Sequence, residues 1–504
     1  MKNIILLLLL VSISCKKREI SNSKVFDAPK TVTLTGNVSN FDPENPNISF
    51  AVNRVGVDRL SLNSKIDSTG FFSVSFESYT PTDVWVNVGI NFLVLTHPGD
   101  SIHMSFDAKI AQTVPILKSI QFSGDAVKTN QDAAHFQEMY FSNEIYTDWD
   151  AKKKATKEYG ADDYLQYLDT LQQKSTELVN NFIQTYSPNE ESLLWAKTYI
   201  EQVYYNALAF YPAEHRELNN LPFSWDVPEN YYNSLNERLP ITKPMLISGY
   251  ALVNFVNRYS YRYVRNKTRN EKSNEKYRTE FGLAGPLKEL DSISIYGIIK
   301  YTEDSLLRQL VLAELFQQRF DKVEIDLYED YRDLVKTHIT EPFIAKPLEE
   351  NYLKTKKSIE SPELVSEAIL KDASGTSVDK IIENLLETHK GKVIYVDTWA
   401  SWCAPCLAEF PNSKKLMEEM EGQDVVFVYI CINTKEKAYK AVLDKFQLGG
   451  VHYFLDQNQS IDFQTVFNIS GIPFYILIDK DGSVIEKGSH LRPAMVKEKI
   501  EKLL

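Results

Sequence analysis

The junction around residue 400 constrains this chain more than any other stretch. Lys392-Val393-Ile394-Tyr395-Val396 has the length and composition of a buried strand, and Leu407 to Glu421 is compatible with a helix. Between them runs Asp397-Thr398-Trp399-Ala400-Ser401-Trp402-Cys403-Ala404-Pro405-Cys406. A strand passing directly into a helix sets Cys403 at the helix N-terminus, where unpaired N–H groups and the macrodipole favour a thiolate. Cys406 falls one turn further on, covered and in place to resolve a mixed disulfide. Pro405 is tolerated because first-turn N–H groups have no intrahelical partner.

A magnitude bears on the redox direction. A helix terminus contributes at most about 2 kcal/mol, which brings a thiol from a pKa of about 8.5 to about 7. A strong oxidant needs a value of about 3.5, and Ala404-Pro405 supplies no cation to make up the difference. Reduction or isomerisation is therefore favoured over strong oxidation. The competing reading is half of a zinc site, but structural zinc takes four ligands. No second Cys-x-x-Cys exists, and the eight histidines show no paired-ligand spacing. No metal is expected, and no cofactor, because thiol exchange carries the electrons itself. Cys431, inside the strand-like run Val425 to Ile432, reads as a buried apolar residue.

The rest of the chain divides by hydrophobic period. Thr31-Val32-Thr33-Leu34-Thr35, Phe72-Ser73-Val74-Ser75-Phe76 and Val84 to Val88 read as half-buried strands. Asp42-Pro43, Asp67-Ser68-Thr69-Gly70 and His97-Pro98-Gly99-Asp100 supply turns between them. Further on, Leu165, Leu168, Leu171, Leu178 and Phe182 share a helical stripe, as do Leu307, Leu310, Val311 and Leu315. The abundant Tyr and Phe of this middle region are expected to be core, the alternative being a groove for a peptide or glycan. Asn266 to Arg278 reads as a solvated loop. A net charge of −12 offers no basic field for nucleic acid.

At the start, Met1-Lys2-Asn3 precedes the apolar run Ile4 to Val11, too short to span a bilayer but suited to a secretory signal. Ser12-Ile13-Ser14-Cys15 resembles a bacterial lipoprotein signal, with Cys15 as the lipid-attachment residue. The expectation is an extracytoplasmic, periplasm-facing protein tethered to the envelope membrane by lipid. Only one close Cys pair in so large an extracytoplasmic chain points to chemistry rather than stapling.

The segment Val396 to Cys406 closely resembles the active site of the thioredoxin superfamily, Trp-Cys-x-x-Cys with Trp-Ala upstream. Glu409-Phe410-Pro411 extends it to Cys-x-x-Cys-x-x-Glu-x-Pro, which is similar to the TlpA/ResA branch of extracytoplasmic thiol–disulfide oxidoreductases. Gly471-Ile472-Pro473, followed by Phe474 to Ile478 and Asp479-Lys480-Asp481-Gly482, resembles the family's cis-proline loop and next hairpin. The segments Asp67 to Phe72 and Pro98 to Ile102 loosely resemble the N-terminal β domain of envelope thioredoxin-like lipoproteins.

The resemblance implies Cys403 as nucleophile and Cys406 as resolving thiol. Trp402 would pack beside them, a cis Pro473 would face the disulfide, and the Ile472 backbone would pair with an extended substrate. Asp397 and Glu409 are both candidates for handling the proton of Cys406, and their division of labour stays open. The implied partners are disulfide-containing extracytoplasmic proteins and a membrane thiol-transfer reductase of the CcdA/DsbD kind. A peroxiredoxin-like reading is disfavoured because no Pro-x-x-x-Thr-x-x-Cys pattern occurs. The alternative from another class is a binding protein for a glycan, peptide or protein partner, with the redox domain accessory.

The expected architecture is multidomain. It comprises a signal with lipid-attachment Cys (1–15), a tether (16–29), an all-β sandwich-like domain (30–124) and an α-helical domain (125–353). A linker (354–363) then leads to an α/β thioredoxin fold (364–504).

Overall fold

The computed structural model describes residues 27–44, 46–108, 113–143, 148–222, 224–233, 241–268 and 286–504. The signal, Cys15 and most of the tether lie outside them. The chain divides into two compact units, 1–311 and 312–504. No helix among the described residues is long and apolar enough to cross a membrane.

The first unit begins with eight strands: β1 (Lys30–Ser39), β2 (Asn47–Arg54), β3 (Asp58–Lys65), β4 (Phe71–Ser78), β5 (Thr82–Asn87), β6 (Asn91–Thr96), β7 (Ser101–Asp107) and β8 (Gln121–Gly124). They form two four-stranded sheets, ordered β4-β1-β7-β8 and β3-β2-β5-β6. The alternation read in β1 is real: Val32, Leu34, Gly36 and Val38 are buried while Thr33, Thr35 and Asn37 between them are at least partly exposed. Val32, Leu34 and Val38 meet Phe50, Val52, Val84 and Val94 of the other sheet in one core, so the domain is a sandwich. The turn at Asp67 is held by its own carboxylate, which accepts from the backbone of Thr69 and Phe71. Gly70 closes it at φ +85°, with the carbonyl of Val38 where a Cβ would stand.

The outer face of β5 and β6 is also buried, because helices cover it. Helices α1 (Val127–Phe141), α2 (Trp149–Glu158), α3 (Ala161–Tyr186), α4 (Glu190–Leu218) and α5 (Gly249–Tyr259) make this layer. Leu93 and Leu95 of β6 pack with Phe136, Phe182 and Trp195. In α3 the buried stripe includes Leu168, Leu178 and Phe182, as the spacing requires. Asp83 of β5 is fully buried and accepts from Trp195 Nε1 at 3.0 Å and the Tyr250 backbone N–H at 2.6 Å, tying the sheet to two helices. The expected loop from Asn266 starts instead as helix: Asn266 lies in Arg265–Lys267 and is buried. Residues 269–278 lie outside the described residues.

In the second unit, six strands form one sheet ordered β14-β13-β10-β11-β12-β9. They are β9 (Ala368–Lys371), β10 (Val393–Trp399), β11 (Val425–Cys431), β12 (Gly450–Phe454), β13 (Phe474–Ile478) and β14 (Val484–Gly488). β9, β12, β11 and β10 run parallel, while β13 and β14 add antiparallel. All seven residues of the central β10 are buried. Tyr395 and Trp399 face one core with Phe410 and Leu416, whereas Ile394 and Val396 face the other with Ile381 and Phe463. Each such buried large apolar side chain contributes about 1.5–3 kcal/mol relative to exposure.

The division between units differs from the expected linker at 354–363. It falls at residue 311/312, inside helix α6 (Ser305–Asp321). Residues 354–360 are not a linker but the end of helix α7 (Pro342–Glu360). The polar Lys/Ser-rich composition belongs to a helix with one solvated face. Its other face is apolar at Ile359, which packs with Leu364 on the thioredoxin-side core.

Candidate active site

β10 delivers the chain to the cysteines. Its last residue, Trp399, accepts from the Ile432 backbone at 3.0 Å. Ser401 N–H donates to Thr434 Oγ1 at 3.1 Å, and the Trp402 indole donates to the Asn433 carbonyl at 2.8 Å. The loop is therefore anchored to the segment following β11. Trp402 itself is 49% exposed, so the indole is positioned by its hydrogen bond rather than by enclosure.

Cys403 caps helix α8 (Ala404–Glu419). The Cys406 N–H points at Cys403 Sγ over 3.2 Å, the contact through which a first-turn amide stabilises a thiolate. The two cysteines are joined as a disulfide with Cα atoms 5.3 Å apart. Both are buried, at 3% and 1% exposure. The Ile472–Pro473 peptide is cis, Pro473 is buried, and Ile472 packs against the cluster that contains both cysteines.

The strand leading into this loop carries an acid whose carboxyl has no hydrogen-bond partner. Asp397 is 1% exposed, and neither carboxyl oxygen has a hydrogen-bond partner. Burial first, and then the charge of Glu409, pushes its pKa well above the usual carboxylate range. The register sets Tyr475 of β13 and Tyr429 of β11 on either side of it. Burial and the Asp397 charge hold both phenols protonated.

Glu409 has a different environment. It is buried on α8, not an exposed helix carboxylate, and Oε1 lies 2.8 Å from Arg492 Nη1. Oε2 accepts from Asn412 Nδ2 at 2.9 Å. Both carboxyl oxygens of Glu409 are thus engaged, whereas neither oxygen of Asp397 is. Arg492, Tyr429 and Tyr475 escaped the reading of the sequence. Arg492 is 83 residues from its partner, and the tyrosines join the site only through strand register. Asn412, three residues after Glu409, carried the only local signal.

Cys431 is free, fully buried and pushed up to about 12 by burial. It behaves as an apolar core residue, inert as a nucleophile.

Residues 391–484 match the profile of a thioredoxin-like family. The chain is 24% identical over 118 residues to the thiol-disulfide oxidoreductase ResA of Halalkalibacterium halodurans, covering 23% of this chain and 62% of that protein. It is 28% identical over 102 residues to ResA of Bacillus cereus, covering 20% and 57% respectively. The chain thus spans about three fifths of the length of these relatives. Among solved structures, the thioredoxin domain of a thiol-disulfide oxidoreductase from Bacteroides vulgatus is 24% identical at a TM-score of 0.22, covering 23% of this chain and 82% of that one. The C-terminal part of the chain is a thioredoxin-like domain with a Cys403–Cys406 pair, distantly related to the ResA-type thiol–disulfide oxidoreductases.

Proposed function

We propose that this protein reduces or isomerises disulfides of extracytoplasmic proteins while tethered to the envelope membrane by lipid at Cys15. The observation that carries this reading is the capping sulfur of Cys403, which receives the Cys406 N–H just after a strand that holds the buried, unpartnered carboxyl of Asp397.

In the reduced form the Cys403 thiolate attacks one sulfur of a substrate disulfide and releases the other as a thiol. The Cys406 thiol then gives its proton to Asp397 and attacks Cys403 Sγ. The second substrate sulfur leaves, and the enzyme disulfide forms. The substrate gains two electrons from the dithiol and two protons, one from water at the first displacement and one from Cys406 by way of Asp397 at the second. A carboxyl raised well above the usual carboxylate range is a better acceptor for that proton than an ordinary one, and Glu409, held by Arg492, acts on it by charge. Trp402 and the Ile472–Pro473 segment flank the approach of an extended substrate. A membrane thiol-transfer reductase of the CcdA/DsbD kind restores the dithiol.

Insulin reduction with dithiothreitol tests the catalytic claim. Wild type is expected to be active and Cys403→Ser inactive; equal turnover in both rejects it. Cys406→Ala should hold clients as mixed disulfides at Cys403, which identifies them.

A further inference from the structure

The helical layer of the first unit encloses a cavity of about 950 Å³, at the upper end of ordinary ligand sites. Its wall is rich in aromatic side chains, among them Trp85 and Phe92 from the sheet and Tyr199, Phe210 and Tyr250 from the helices. The middle-region aromatics are therefore core on one side and a lining on the other.

The polar groups of the wall narrow the choice of ligand. Most already have partners: Gln137 bonds both backbone groups of Leu93, Gln172 donates to Glu201, and the Tyr204 hydroxyl donates to Asp169. These bonded groups are less available to a ligand than the rings around them. Two buried polar atoms of the wall stand without a partner, Arg258 Nε and Asn206 Oδ1. The Arg258 guanidinium lies over the Phe210 ring, 3.1 Å from its centre. Glu214 acts on it through space without an ion pair. Lys152, Lys153 and Arg258 against Glu214 and Glu217 leave the wall one positive charge in excess. A chamber rich in rings, with an arginine whose Nε has no partner, suits a single anionic group on an apolar body.

We propose that this cavity binds an organic carboxylate with an apolar body, the body lying among the rings and the carboxylate on Arg258. The site is independent of the redox pair, since every lining residue lies between Trp85 and Arg258.

Titration calorimetry of the full chain with decanoate, and with decanol as the neutral counterpart, tests it. Wild type should bind one decanoate saturably. Arg258→Met should weaken decanoate at least tenfold while leaving decanol unchanged. Ala207→Phe, which fills the cavity from its wall, should weaken both. Insulin reduction and the thermal midpoint of each variant report that the fold is kept. Absence of saturable decanoate binding in wild type, equal decanoate affinity in Arg258→Met, or undiminished binding in Ala207→Phe overturns the proposal.

Discussion

At the scale of single residues, the two acids near the disulfide differ in what surrounds them, and their variants should differ accordingly. Asp397→Asn removes the proton carrier, so insulin reduction at neutral pH should slow on the order of 100-fold; an unchanged rate would remove Asp397 from the mechanism. Glu409→Gln instead deletes the charge that helps raise Asp397. The Asp397 pKa should then fall, and the limb of the pH–rate profile that it governs should move to lower pH. A shift to higher pH contradicts the coupling. The contrast also shows what a sequence discloses at this scale. Asp397, Cys403, Cys406 and Glu409 lie within 13 consecutive positions and were found together. Arg492 was not, because no spacing rule links a loop arginine to a helix carboxylate 83 residues away.

At the scale of elements, β10 was legible because a seven-residue strand buried on both faces must be almost wholly apolar. Asp397 is its one ionisable carboxylate, beside the buried Thr398, and such an exception marks a site. The polar end of α7 was not legible as helix, since composition reports the solvated face more strongly than the packed one. In the first unit, individual ties carry the packing of sheet on helix. Trp195→Phe leaves the buried Asp83 without its indole donor, and the unfolding free energy should fall by about 1–3 kcal/mol. A denaturant titration showing no loss would assign the stability elsewhere. His97, at the turn before β7, bonds Asp100 and Glu191. Burial opposes its protonation, but those two carboxylates carry its pKa from 6.5 up to about 9. A group raised on folding adds stability fully present below its unfolded pKa and lost as pH climbs through the folded one. Thermal melts of wild type and His97→Gln should therefore differ most near pH 6 and converge by pH 10. A gap that widens with pH would have the wrong sign.

At the scale of the whole molecule, Cys15→Ser should move the protein from the membrane pellet to the soluble fraction, if lipid at that residue is the tether; unchanged sedimentation speaks for another anchor. The order of β-rich, helical and α/β regions could be read because the hydrophobic period changes from 2 to 3.6 and back. Where the chain divides could not, because that depends on which helices share a core. The depth of the sulfurs has an effect on what the protein can serve. With Cys403 and Cys406 both beneath the surface, a flat protein face cannot touch them. Under the function proposed above, a cystine carried on a protruding or slack piece of chain would reach down to them, and clients would then be sorted by their own looseness.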